Sequence, residues 1–273
     1  MQKDRISFDD GKASTLLRHT LLEKPGLVKA VTFSCEGGES LPPFTGLNFS
    51  PSRGDDPGTV LKNRMKAERF LNCKAAIYPK MNHGTELVII DRVPYEFTHL
   101  CDGIFTNLQE VALFITHADC QAMLIADPVT GWIGAVHAGW RGQVNGIYTK
   151  AVELLLSLGS KKENLFISIS PSLGTTRSEF INYKQEIPET LWKYRNENYF
   201  DLWTMAEEEF ISLGVPKENV QISRICTYEN EHLFFSHRRN SLCGRNASAI
   251  MISGNSSEQS QLKQTESCCD QQQ

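Results

Sequence analysis

Three short segments concentrate groups able to do chemistry: Asn82-His83-Gly84, Thr116-His117-Ala118-Asp119-Cys120, and Val136-His137-Ala138-Gly139-Trp140-Arg141-Gly142. Two imidazoles and a thiolate, on His83, His137 and Cys120, make a three-ligand set that leaves one position open on a zinc ion, as a catalytic site requires and a structural one does not. Their separations in the chain match no local zinc-finger spacing, so residue type carries more of this reading than spacing does. The same atoms support a second chemistry, with Cys120 as nucleophile, His137 as its base, and Asp119 or Asn82 as orienting group. They also fit an inert reading: hydrogen-bonded strand-end histidines, a small buried cysteine, and an aspartate satisfying loop N–H groups. The small residues Ala138, Gly139 and Gly142 around Arg141 suit close approach of a ligand to the backbone.

Arg64 and Arg141 add guanidinium groups suited to bidentate contact with phosphate or carboxylate. Downstream, Phe234-Phe235-Ser236-His237-Arg238-Arg239 leads to Cys243-Gly244-Arg245. This run is too aromatic for a solvated charge run and too short for a nucleic-acid stripe. Its expected arrangement has Phe235 packed inward and one arginine reaching a cleft, with pairing to nearby acids as the alternative.

Strands must position these groups. Apolar runs at 27–35, 75–78, 86–90, 112–116, 122–126 and 132–136 read as strands of a mainly antiparallel sheet, because the connections between most of them are too short for helical crossovers. Asp56 followed by Pro57 reads as the cap and first residue of a helix running through Arg64 toward Phe70. Val144, Ile147, Ala151, Leu154, Leu155 and Leu158 fall on one helical face, and Gly159 closes it. The pattern Ser157-Leu158-Gly159, then Lys, Glu163-Asn164 and Ile167-Ser168, returns as Ser212-Leu213-Gly214, then Lys, Glu218-Asn219 and Ile222-Ser223. Each copy reads as helix, glycine stop, polar connector and strand, from either a duplicated unit or repeated use of one loop design.

With 273 residues, 40% of them apolar, the chain can bury a full core, and a net charge of −4 argues against a protein that grips nucleic acid or anionic lipid. No run of about 18 apolar residues offers a membrane span, and no secretory leader is evident, which gives a cytoplasmic reading with mostly reduced cysteines. Residues 254–273 are nearly devoid of apolar side chains and read as a disordered polar tail, with Cys268 and Cys269 as inert thiols.

Taken in order, His83-Gly84, Asp102 to Thr106, Ala118-Asp119-Cys120, His137 to Gly142, Ser170-Pro171-Ser172-Leu173-Gly174, Cys226-Thr227, and Phe234 through Arg245 resemble the YfiH/YlmD-like family, also called the polyphenol oxidoreductase laccase domain or purine nucleoside phosphorylase family. The resemblance runs from about Val31 to Ile252. It implies an α/β (α+β) fold, a single layered sandwich of mixed, largely antiparallel sheets flanked by helices. Residues 1–25 would be an N-terminal extension, 26–253 the catalytic domain and 254–273 the tail. It further implies zinc, or copper in its place, on His83, Cys120 and His137, with catalytic roles for Cys120, Asp119 and His137. Substrate contacts are expected at Asn48, Arg64, Asn82, Arg141 and Arg245.

The implied reaction is phosphorolysis of adenosine, inosine or methylthioadenosine to base and sugar 1-phosphate, with adenosine deamination as a second activity, in a monomer or homodimer. Bacterial relatives are also linked to peptidoglycan editing, which keeps a thiol hydrolase acting on a peptide or muropeptide open, beside a non-catalytic nucleotide-binding module. A phenol oxidase is less well matched, since the chain has seven histidines and no His-x-His pair. Met81-Asn82, Gln121 and Thr175-Thr176 depart from the usual family residues without removing a metal ligand.

Overall fold

The computed structural model describes residues 1–254. Residues 255–273, most of the segment read as a tail, lie outside the described residues. The chain opens with β1 (Gln2–Ser7), β2 (Ala13–Arg18), the single turn α1 (Thr20–Glu23), β3 (Val28–Phe33) and α2 (Pro57–Leu71). Short strands β4 (Ala75–Ile77), β5 (Leu87–Ile89) and β6 (Gly103–Thr106) precede the long β7 (Val111–His117), β8 (Gln121–Asp127) and β9 (Trp132–Ala138). Then come α3 (Trp140–Val144), α4 (Ile147–Ser157), β10 (Phe166–Ile169), α5 (Tyr183–Glu186), and the small pair β11 (Arg195–Asn196) and β12 (Tyr199–Phe200). The last elements are α6 (Leu202–Ser212), β13 (Val220–Ile222) and β14 (Asn246–Ile252).

Two six-stranded sheets result, ordered β1-β2-β3-β14-β7-β4 and β13-β10-β8-β9-β6-β5. Neighbours are antiparallel except β4 with β7, β5 with β6, and β10 with β13. The sequence reading of mixed, largely antiparallel sheets in one sandwich therefore holds. Every residue of β8 is buried, and only Thr116 of β7 is not fully so, because both faces of each strand are covered. Period two then decides which layer each side chain enters. Leu113, Ile115, Ala122 and Leu124 fill the space between the sheets with Ile104, Ala135 and Ile250. On the outer faces, Phe114 packs with Phe33, Phe49 and α2's Ala67 and Leu71, while Met123 and Ile125 pack with Tyr148, Leu155 and Phe210 of α4 and α6. The order is helix, sheet, sheet, helices.

Asp56 caps α2 as its sequence indicates, accepting a bond from the Thr59 amide at 2.7 Å, with Pro57 as the first helical residue. The helical face from Val144 to Leu158 is divided at Asn145-Gly146 into α3 and α4. The repeated pattern builds two side-by-side units: α4 contacts α6, and the strands that follow them, β10 and β13, pair in parallel. Residues 2–18, read as part of an extension, add a hairpin to the first sheet by pairing β2 with β3.

A candidate metal centre between two cavities

The chain crosses between the sheets three times at one end of the sandwich, through residues 78–86, 118–120 and 223–245. His83 sits on the first crossing and Cys120 on the second. His137, near the end of β9, shares the inner-face alternation of Ile133 and Ala135. These placements bring one ligand atom from each of His83, Cys120 and His137 to within 4.8 Å of one another. The two imidazole rings lie 4.8 Å apart, centroid to centroid.

Asp102, fully buried just before β6, organises both imidazoles. Its Oδ1 meets His137 Nδ1 at 2.9 Å and accepts the His83 amide at 3.0 Å, while Oδ2 accepts the amides of Gly84 at 2.8 Å and Asn82 at 3.3 Å. His83 is held with φ at +61°, a left-handed conformation that these bonds stabilise. With Nδ1 committed to Asp102, His137 presents Nε2 to the thiol and to any ion. Gly139 has φ at −68°, open to any residue, but a Cβ there would stand 2.8 Å from His83 Nδ1 and 3.4 Å from Cys120 Sγ. Its lack of a side chain makes the room the cluster needs.

Burial would raise the Cys120 pKa, yet the charge and hydrogen bond of His137, with His83, pull it down to about 6. Burial would likewise lower the His137 pKa, and the Cys120 thiolate and Asp102 push it up to about 9. Asp102 itself stays below the usual carboxylate range, since His137 and the loop amides outweigh its desolvation. A thiolate with an oriented imidazole is a soft, preformed donor set, and with a second imidazole beside it the residues fit a zinc or copper ion.

The cluster forms the wall between two cavities that share His83, Ala118, Cys120 and His237. One, of about 300 Å³, is lined by Trp140, Leu173, Phe180 and Leu202, with Asp119 and Arg141 as polar members. The other, of about 720 Å³, holds Arg64, Arg245, Arg53, Lys80, Tyr78 and His117. Arg64 donates from Nε to the Phe49 carbonyl at 3.0 Å and lies over the Tyr78 ring at 4.1 Å. Burial pulls its pKa below the ordinary value, and neither Arg64 nor Arg245 makes an ion pair among the described residues.

The other candidates fall in different places. Asp119, with φ at +85°, accepts the Thr227 hydroxyl at 2.7 Å and the Arg238 amide at 2.6 Å, so it also fixes two loops. Arg141 is exposed at the rim with its guanidinium 4.4 Å over Trp140. Asn48 lies outside both cavities and is fully buried, its side chain bonded to Ser50, Asp55 and the Arg245 amide. It therefore positions Arg245 and does not face the cavities. Asn82 also lies outside them, its Oδ1 accepting the Gly84 amide. The orienting partner of His137 is Asp102 instead of Asp119 or Asn82, because only Asp102 reaches Nδ1. Phe235 does pack inward, and Arg239 clamps the carbonyls of Thr227, Tyr228 and Phe234.

A family model described as multi-copper polyphenol oxidoreductase laccase matches residues 29–253. The chain is 30% identical over 233 residues to a purine nucleoside phosphorylase of Mycobacterium tuberculosis, spanning 82% of this chain and 92% of the relative. It is 26% identical over 238 residues to the purine nucleoside phosphorylase YfiH of Escherichia coli, spanning 84% and 96%. Among solved structures, the hypothetical protein YfiH of Bacillus licheniformis aligns with a TM-score of 0.76 at 26% identity, covering 83% of this chain and 93% of that one. YlmD of Geobacillus stearothermophilus aligns with a TM-score of 0.76 at 25% identity, covering 83% and 92%. Sequence, fold and the convergence of His83, Cys120 and His137 agree, and the chain belongs to the YfiH/YlmD family of polyphenol oxidoreductase laccase-domain proteins.

Proposed function

We propose that this chain is a metal-dependent purine nucleoside phosphorylase, cleaving adenosine, inosine or methylthioadenosine with inorganic phosphate to the base and sugar 1-phosphate, and deaminating adenosine as a second activity. The observation that carries the reading is a three-donor cluster at the junction of two cavities, the smaller one holding Trp140 and Phe180 and the larger one four basic side chains. Relatives bearing the name purine nucleoside phosphorylase support it.

Phosphorolysis breaks the bond from the sugar carbon to the purine nitrogen and forms one from that carbon to a phosphate oxygen. Arg64 and Arg245 hold the phosphate, supplying cations that lack a carboxylate partner among the described residues. Trp140 and Phe180, packed edge to face at 5.6 Å, line the side suited to the purine, with Arg141 at its rim. Zinc, or copper, would be held by His83, Cys120 and His137 and would supply Lewis acidity at the junction of the two cavities. Asp119, whose carboxylate retains lone pairs beyond its two bonds, is the proton carrier in deamination.

All of these residues come from one chain, so a monomer suffices and a homodimer is compatible. No helix among the described residues is long and apolar enough to cross a membrane. The six described cysteines are unpaired, in keeping with a cytoplasmic enzyme.

Replacing Cys120 by Ala and assaying metal content beside both activities tests the reading. Loss of metal and of both activities is expected, and full activity without metal overturns it. The arrangement of Cys120, His137 and Asp102 also supports a thiol hydrolase acting on a peptide or muropeptide, because the thiol is acidified and its base oriented. Activity that survives chelation and is abolished by a thiol alkylator selects that alternative. A nucleotide-binding module would bind inosine without yielding hypoxanthine on chromatography.

A further inference from the structure

A polar ribbon crosses the otherwise apolar layer between the sheets. His117 Nε2 meets Ser248 Oγ at 2.9 Å, Ser248 Oγ meets Thr32 Oγ1 at 2.7 Å, and Thr32 Oγ1 meets His19 Nε2 at 2.9 Å. His19 Nδ1 then meets Ser168 Oγ at 2.8 Å, and Ser168 donates to Gln221 Oε1 at 3.3 Å, on the half-buried strand β13. Burial keeps both histidines neutral, pulling each pKa down to about 3.

Each hydroxyl has one proton, so the direction of the whole chain follows from its end. Ser168 gives its proton to Gln221 and therefore receives one from His19 Nδ1. His19 Nε2 is then bare and accepts from Thr32, Thr32 accepts from Ser248, and Ser248 accepts from Nε2–H of His117. A neutral His117 is left with an unprotonated Nδ1. That atom is buried and has no hydrogen-bond partner among the described residues, in a side chain that lines the cavity of Arg64 and Arg245. A buried bare acceptor is costly until a donor meets it.

We propose that His117 Nδ1 accepts a hydrogen bond from the O–H of a hydrogenphosphate held by Arg64 and Arg245, so that the cavity selects phosphate over sulfate. This rests on the phosphorolysis reading and deepens it. Inorganic phosphate keeps at least one O–H throughout the neutral range, whereas sulfate has none and would set an oxygen lone pair against that of the imidazole. Arginines alone would not separate the two anions.

Calorimetric titration of the purified full-length chain with inorganic phosphate and with sulfate at neutral pH tests this, together with His117→Phe and His117→Asn. The wild type is expected to bind phosphate about tenfold or more tighter than sulfate. His117→Phe should lose that preference by weakening phosphate and removing the repulsion that disfavours sulfate, and His117→Asn, which keeps an acceptor, should recover part of it. Nitrogen chemical shifts of the wild-type imidazole give a readout independent of any variant's folding: a bare Nδ1 that responds to phosphate and not to sulfate. Equal affinity for the two anions, a protonated Nδ1, or a His117→Phe protein that loses nucleoside affinity with its anion preference intact overturns the assignment and leaves phosphorolysis standing. Absence of binding by either anion, with no phosphate-dependent turnover, removes the phosphorolysis reading and this inference with it.

Discussion

One carboxylate governs both imidazoles of the cluster. Asp102 sits at 0% exposure, where an unpaired charge would be costly, and its oxygens are satisfied by His137 Nδ1 and three loop amides. Asp102→Asn keeps the shape but replaces one acceptor oxygen with an NH2 group that must face amide donors. The histidine also loses the negative partner that raises its basicity. Zinc affinity should fall about 10- to 100-fold, the usual consequence of breaking a carboxylate–histidine pair behind a metal. Competition against a chromophoric chelator measures this, and wild-type affinity in Asp102→Asn would show that His137 needs no such support. The pair's own pH behaviour follows from the same contacts. The thiolate of Cys120 persists as pH falls until about 6, and the imidazolium of His137 persists as pH rises until about 9, so the metal-free pair is charged between those limits.

The site depends on where elements end. β7 stops at His117, β8 starts at Gln121, and Cys120 is presented by the tight crossing between sheets; β9 ends at Ala138 and α3 begins at Trp140, leaving Gly139 as the hinge between them. Gly139→Ala introduces no backbone strain, since φ is −68°, and puts a methyl group 2.8 Å from His83 Nδ1. The exposed loop of His83 should yield before the buried strand does. The variant should therefore unfold within a few degrees of the wild type while retaining far less metal, read by calorimetry and elemental analysis side by side. A large loss of stability with metal retained would show that the strand moves instead. Short apolar runs bounded by turn residues make β7, β8 and β9 legible in the sequence, and the Asp56-Pro57 cap locates α2. β1, β2 and β14 are less legible: β1 lies in polar sequence, β2 mixes polar residues with the buried Leu16 and Leu17, and β14 is identified by its partners β3 and β7 more than by its own pattern. His83, Cys120 and His137 were legible by donor chemistry, whereas Asp102 was visible only as part of a matching stretch. The distinction between Asp102 and Asp119 is one of orientation: each has neighbours able to donate, but only Asp102 reaches His137.

At the scale of the whole molecule, the two sheets are joined by a largely apolar layer with a polar ribbon through it, and that ribbon contributes to the loss of stability in acid. His19 and His117 are held neutral by burial, each with a pKa lowered from 6.5 to about 3. A depressed folded-state value means that stability is complete above the unfolded value and is lost as pH falls toward the folded one. Between about pH 6 and 4.5 the unfolded chain holds nearly two more protons on these histidines than the folded chain does, which corresponds to about 2.7 kcal/mol of unfolding free energy per pH unit at the steepest. His137 does not add to this slope, because its raised value keeps it protonated in the folded state throughout that window, and its contribution is lost only on the alkaline side, through about pH 9. Urea unfolding at a series of pH values in this window measures the slope. His19→Gln, which can still bond to Thr32 and Ser168 but cannot titrate, should lower the slope by about 1.4 kcal/mol per pH unit. A slope unchanged in His19→Gln would mean that acid opens the sandwich elsewhere, at the carboxylates of its rim.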